Sequence, residues 1–315
     1  MYMVFTPEFR EVTRAQAKAS VVIGGLAGKG KSGLALSMAY VLADEDWSSV
    51  CALDTENKSL SLFEGIPSHL GVPFGKFLWY NLQRTHGYRP THYLAAKEAA
   101  IARGAKAFVQ DSITHAWTGP GGILQLVNEK EASTRGLNNF SAWGEPEVAH
   151  EKNSMYEMIR DLSIHIICTV RMKEKHVQKD SKILSLGEQQ IQMPDLKYEP
   201  DLVLEMVEAG NTRGKAPKAI VRKSRYAIFD EGETYTFNLN TLMQLKEYLA
   251  EGADPSVMME QQRQEFIAEV KSILDSSESK RTVYSVIKDE YGLKDTPLTD
   301  FTLEDVRKVL GRLLV

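Results

Sequence analysis

The chain has 315 residues, a formal net charge of −4, and 43% hydrophobic and 25% charged residues. This suits a folded protein of one large or two smaller domains, and it is not the strongly basic balance of a chain that binds nucleic acid over its whole surface. No apolar run is long enough to cross a bilayer, the start Met-Tyr-Met-Val-Phe lacks the basic flank of a signal peptide, and Cys51 and Cys168 read as buried reduced thiols, so a cytoplasmic location without membrane contact is expected.

Residues 1–20 read as an N-terminal arm. Pro7 and the run Glu8 to Lys18 suggest a short helix, which either packs on a neighbouring subunit or is a plain extension. The apolar run Val21 to Ile23 then predicts a buried strand, followed by a glycine-rich turn and an amphipathic helix from Leu34 to Leu42. Between them, Gly25-Leu26-Ala27-Gly28-Lys29-Gly30-Lys31-Ser32-Gly33 fits the P-loop pattern in its required strand–loop–helix context. Glycines let the backbone wrap a phosphate with its N–H groups inward, and the helix N-terminus adds partial positive charge. Lys31 can reach the β- and γ-phosphates of ATP, and the Ser32 hydroxyl can ligate Mg²⁺.

A second buried strand, Val50 to Leu53, ends in Asp54-Thr55-Glu56, with carboxylates at the strand edge where open α/β sheets bind ligands. Phe77 to Leu82 predicts a third strand, and Thr91 to Arg103 a helix closed by Gly104. Ala107-Phe108-Val109-Gln110-Asp111-Ser112 is a Walker B pattern whose Asp111 can hold the metal, although Gln110 occupies a position that is usually apolar. Residues 118–144 read as loop-rich around one helix, Ile123 to Glu131, and Pro146 to Leu162 as a further helix. Ile164 to Val170 is a central strand running into Arg171. The polar stretch from Lys173 to Gln192 suggests a β-hairpin carrying Lys173, Lys175, Lys179 and Lys182. Strands follow at Leu202 to Met206 and Ala219 to Val221, with basic residues between and after them, then a helix from Leu242 to Leu249. Glu251 to Pro255 reads as a linker, and Val257 to Leu274, Thr282 to Tyr291 and Leu303 to Leu314 as helices, the last with a capping box at Thr302 and Asp305. The expected domains are thus the arm, 1–20, an ATPase core, 21–250, and a helical C-terminal domain, 256–315.

The strand–helix alternation predicts an α/β fold, a mostly parallel sheet flanked by helices. The motif order resembles the RecA-core P-loop ATPases: Asp54-Thr55-Glu56 followed by Phe63, then Asp111-Ser112, then His165 to Lys173 ending Val-Arg-Met-Lys. With Ile113 to Trp117 and Ala142-Trp143-Gly144, the pattern is similar to phage-encoded members of that group, some of which accompany or act as single-strand annealing proteins. The resemblance covers roughly residues 10–230 and implies a RecA-like core; the small helical region after residue 255 lies outside it. It implies that Glu56 polarises the attacking water, that Thr169 or Arg171 senses the γ-phosphate, and that Phe63 stacks on adenine unless it is a core phenylalanine. Lys223-Ser224-Arg225 resembles the Lys-x-Arg pair that hexameric RecA-core helicases insert into a neighbour's site; a surface salt bridge or a DNA-facing patch is the alternative.

Two functions are compatible with these residues. One is an ATP-dependent protein of phage-type DNA recombination, annealing or replication, a homo-oligomer on single-stranded DNA in the host cytoplasm, with a replication or single-strand-binding protein as a further partner. Its lysine hairpin would track the phosphate backbone, unless that charge run is a solvated face. The other is a regulatory or assembly ATPase whose nucleotide state switches a protein–protein contact through the helical tail.

Overall fold

The computed structural model describes residues 14–134, 138–160, 163–179, 182–210 and 215–314, excepting the side chains of 174–179, 182–189 and Pro255. Two compact units form: residues 17–250, and residues 251–314 together with 14–16. The core unit therefore starts a few residues before the expected boundary at 21. Ala17 donates its N–H to the Leu249 carbonyl and Ala19 to Nδ1 of His165, which ties this segment into the core. Most of the predicted arm lies outside the described residues; its remainder is extended, with Ala15 bridging Ala253.

In chain order the core unit contains β1 (Ser20–Gly25), α1 (Lys31–Leu42), β2 (Val50–Asp54), β3 (Leu78–Asn81), α2 (Pro90–Ala102), β4 (Ala107–Asp111), α3 (Thr114–Thr118), α4 (Ile123–Ser133), α5 (Asn139–Ala142) and α6 (Pro146–Glu157). It continues with β5 (His165–Lys179), β6 (Lys182–Gln190), β7 (Leu202–Glu208), β8 (Lys218–Ser224), β9 (Thr234–Thr236) and α7 (Leu239–Ala250). The strands lie in the order β3-β2-β4-β5-β1-β7-β8-β9, and β6 pairs with the distal half of β5. Pairing is parallel from β3 through β7 and antiparallel for β7–β8, β8–β9 and β5–β6. This is the mostly parallel α/β sheet that the sequence predicts.

The central strands read as continuous apolar runs because both their faces are covered. Val21, Ile23, Val109 and Ile167 face a core with α1 and α7, while Val22, Phe108, Ile166 and Cys168 face a second core with α2, α4 and α6. Both cysteines are free and buried, and burial pushes both thiols up in pKa. Among the described residues no helix is long and apolar enough to cross a membrane.

Several boundaries differ from the sequence reading for identifiable reasons. Helix α6 stops at Glu157, not Leu162, because other elements capture its last carbonyls: Lys97 Nζ donates to Glu157 and Arg160, Gln110 Nε2 to Met158, and the Ser20 hydroxyl to Ile159. This also explains Gln110 at an apolar position: its fully buried amide joins β4 to the end of α6. The segment read as loop-rich holds one further short helix, α5, nucleated by a reciprocal cap between Asn138 and Ser141. Strand β9 is three residues long, too short to declare itself by alternation.

The C-terminal unit packs α8 (Pro255–Ser276), α9 (Glu278–Glu290) and α10 (Leu303–Leu313) around Phe266, Val270, Ile287, Phe301, Val306 and Val309. The Asp254 side chain caps α8, and Thr302 and Asp305 form both halves of a capping box on α10.

Candidate functional site

The parallel register brings the ends of β1, β2, β4 and β5 to one edge of the sheet. Gly25 pairs with Arg171, and Asp54 with Asp111. From Gly25 the chain turns through Leu26, Ala27, Gly28 and Lys29 into α1, with Gly28 and Gly30 at φ +76° and +82°. Those conformations favour glycine, and Gly30 opens α1 with no side-chain cap, so the first helical N–H groups face the loop. A Cβ on Gly25 would lie 2.9 Å from Cβ of Met206, so glycine also permits the close approach of β7. Lys29 Nζ donates to the Val207 carbonyl at 3.1 Å, which fastens the loop to the end of β7. Lys31 Nζ reaches back over the loop to the Leu26 carbonyl, also at 3.1 Å.

Asp111 lies under the start of α1. The Ser32 hydroxyl donates to its Oδ2 at 2.6 Å, and the buried Thr169 hydroxyl donates to its Oδ1. Burial is the largest influence on Asp111 and pushes its pKa up, against those hydroxyls, which pull it down. A hydroxyl and a carboxylate this close, beside a phosphate-binding loop, are a hard-oxygen donor pair that leaves positions for phosphate and water, as Mg²⁺ requires. Among the described residues no group of three or more His, Cys, Asp or Glu is placed to hold a metal ion by itself.

Glu56 stands at the end of β2 beside this pair. Arg171 donates through Nε to Glu56 Oε1 at 2.7 Å and through Nη2 to Oε2, and the Ser112 hydroxyl donates to Oε1 at 2.9 Å. Burial alone would raise the pKa of Glu56. The hydrogen bond and charge of Arg171, with the Ser112 hydroxyl, outweigh it and hold the carboxylate below its ordinary value. Asp54, fully buried, accepts from the N–H groups of Glu56 and Leu60 at 2.7 and 2.8 Å and so shapes the loop that carries Glu56; burial raises its pKa.

Thr55 joins the ends of β2 and β4. Its N–H donates to the Asp111 carbonyl at 2.7 Å, its Oγ1 accepts from the Ser112 N–H at 2.9 Å, and His115 Nδ1 lies 2.8 Å from the same oxygen. The His115 ring stacks on Tyr88, and burial, then Arg171, depresses its pKa. The Tyr93 hydroxyl donates to the Ser112 carbonyl, and the Asp111–Ser112 peptide is cis. Asp54, Thr55, Ser112 and His115 stand within the sequence motifs, but the motifs alone assign them no work. Their roles depend on strand register, which no local pattern carries.

The remaining predicted residues fall elsewhere. Phe63 is partly buried, 5.0 Å edge-on to Phe74 and beside Gly33 at the start of α1. Lys173 is exposed on β5, and Lys175, Lys179 and Lys182 lie along the β5–β6 hairpin with side chains outside the described set. Lys223 and Arg225 lie at the opposite edge of the sheet, where Leu202 starts β7 and Ser224 ends β8. Lys223 Nζ donates to the carbonyls of Tyr198 and Pro200, and Arg225 pairs with Asp201 at 2.8 Å, so the geometry brings neither to the chain's own P-loop edge.

No curated protein sequence matches the chain. Among solved structures it is similar to a KaiC-like protein from Pyrococcus horikoshii OT3, at 15% identity and a TM-score of 0.41, covering 70% of this chain and 85% of that one. It is also similar to the flagellar accessory protein FlaH from Methanocaldococcus jannaschii, at 14% identity and a TM-score of 0.37, covering 71% and 87%. Residues 17–236, well over half of the chain, match the family described as AAA domain, and the protein belongs to that family.

Proposed function

We propose that the chain is a Mg²⁺-dependent ATP hydrolase of RecA-like type. The observation that carries this reading is the convergence of the P-loop with Lys31, the Ser32–Asp111 pair and Glu56 at one sheet edge. Lys31 and the loop N–H groups would hold the β- and γ-phosphates. Mg²⁺ held by Ser32 and Asp111 would neutralise charge on those phosphates. Glu56, kept ionised at neutral pH, would take the proton of the attacking water. Of the two candidate sensors, Arg171 holds that carboxylate and would exchange it for the γ-phosphate, while the Thr169 hydroxyl donates to Asp111, which favours Arg171 in this reading. Phe63, beside Gly33 at the start of α1, would close one side of the adenine in this reading. Lys31→Ala tests the reading directly: tight ATP binding should disappear, and normal binding and turnover in that variant would overturn it.

The finer reading is a homo-oligomer acting on single-stranded DNA in phage-type recombination, annealing or replication. In its favour, the strand that carries Thr169 and Arg171 runs on into the lysine-bearing hairpin, with a register shift between Glu174 and His176, so a change at the γ-phosphate has a path along the chain to it. Lys223 and Arg225 would then complete the site of a neighbouring copy. Mixing Arg225→Ala with Glu56→Gln protein should restore part of the activity that each lacks alone, and no recovery despite co-assembly would remove the trans role. The second reading, an assembly ATPase, is favoured by the C-terminal unit, where α9 exposes Val283 and Val286 one turn apart. A steep salt dependence of binding to single-stranded DNA supports the first reading, and none supports the second.

A further inference from the structure

Glu56 has two donors on its carboxylate, and they differ in kind. Arg171 is a long side chain, 45% exposed, on the strand that leaves the site. Ser112 is fully buried, and its backbone is held on both sides: its N–H donates to Thr55 Oγ1 at 2.9 Å and its carbonyl accepts from the Tyr93 hydroxyl at 3.0 Å. The side chains of Arg171 and Ser112 meet at the same oxygen, Oε1, at 2.7 and 2.9 Å. When a phosphate draws the guanidinium away, a carboxylate held by Arg171 alone would be free to rotate. The Ser112 hydroxyl has much less freedom to leave, because its side chain is fully buried and the peptide that carries it is fixed to β2 through Thr55.

We infer that Ser112 is the positioning residue of the proposed hydrolysis: its hydroxyl keeps the Glu56 carboxylate aimed at the attacking water after Arg171 has let go. Thr55 and Tyr93 contribute by fixing the Ser112 backbone. The inference rests on Glu56 being the general base. A hydrogen bond to a charged group that acts only on the reactive conformation appears in kcat and not in nucleotide affinity.

The test uses full-length Ser112→Ala and the nearly isosteric Ser112→Cys, whose thiol is a poor donor, each in the parent and in a Glu56→Gln background. Affinity for a fluorescent ATP analogue and steady-state ATP turnover are measured with Mg²⁺. In the parent background both variants should lose about ten- to a hundredfold in kcat, the order expected for one hydrogen bond to an ionised group, with affinity within about twofold. In the Glu56→Gln background either substitution should cost less than about threefold more, because Ser112 acts through that carboxylate. If Ser112→Ala does not fold, the cysteine variant decides alone. An unchanged kcat, or an equal loss in both backgrounds, overturns the inference. Full turnover of Glu56→Gln by itself would instead overturn the general-base reading beneath it.

Discussion

The P-loop edge of the sheet and the basic strand β8 carry similar residue types and use them in opposite ways. At the P-loop edge Asp54, Asp111, Ser112 and Thr169 are buried; Asp54 holds the loop that follows it, while Asp111 pairs with Thr169 and Ser112 with Glu56 across strand ends. Along β8, Lys218 and Arg222, and Arg225 just beyond it, are exposed and answered by nearby carboxylates: Arg222 by Glu205 and Lys218 by Glu208 on β7, and Arg225 by Asp201. Buried charge is costly unless every partner is placed, so the first region cannot lose a group without leaving another stranded. Exposed pairs exchange a protein partner for water at little cost. A carboxylate in the sequence therefore says little about its work until its burial and its partners' strands are known.

The comparison breaks first at Glu56. Glu56→Gln keeps the shape and loses the charge, so ATP binding should survive while turnover falls on the order of a hundredfold or more. Turnover within about threefold of the parent would reduce the P-loop edge to a structural network. On the exposed side, replacing Lys175, Lys179 and Lys182 together with Ser should weaken binding to single-stranded DNA at all sequences alike. The slope of log affinity against log salt should flatten by about two units. An unchanged slope would place the hairpin lysines with the ordinary surface charge of β8.

How much of this was legible in the sequence follows the same division. The P-loop, the Walker B aspartate and the central strands announce themselves because each is a local pattern: glycine spacing, an acid after an apolar run, a strand buried on both faces. The roles of Thr55 and Ser112 do not, because they arise only when residues 57 positions apart are brought into register. Gln110 read as a departure because its partner, the Met158 carbonyl, belongs to a helix end that only packing brings close. The pair Lys223 and Arg225 was legible as a motif, but its position at the sheet edge away from the P-loop required the antiparallel register of β8.

His165 extends the comparison to a buried group with no part in the site. Its Nδ1 accepts the Ala19 N–H at 2.9 Å, and burial depresses its pKa to about 3. Because the folded value lies below the unfolded one, the unfolded chain takes the proton first as pH falls. Stability from this group is complete above about pH 6.5 and is lost progressively as pH falls from there towards 3. In denaturant titrations between pH 7 and 4.5, His165→Asn should be less stable than the parent at pH 7 and should show a shallower fall, by up to about 1.4 kcal/mol per pH unit. Equal slopes for the two proteins would mean that the ring takes up its proton at the same pH in the folded and unfolded chains.

The smallest expected effect lies in the Arg222–Glu205 pair, which tests the exposed side where its geometry is best. Both nitrogens engage, Nε to Oε2 at 2.8 Å and Nη2 to Oε1 at 2.9 Å, so this contact is the bidentate form that Arg favours. Exposure works against it: the Arg222 side chain is half open to solvent. In water the attraction between the two charges is largely offset by their lost hydration and by the entropy of holding a long side chain. A double-mutant cycle with Arg222→Ala and Glu205→Ala, read as unfolding free energy, should give a coupling of about 0.2–1 kcal/mol that shrinks in high salt. A coupling above about 2 kcal/mol that resists salt would show that β8 holds its charges as the P-loop edge does, and the contrast between the two regions would fail.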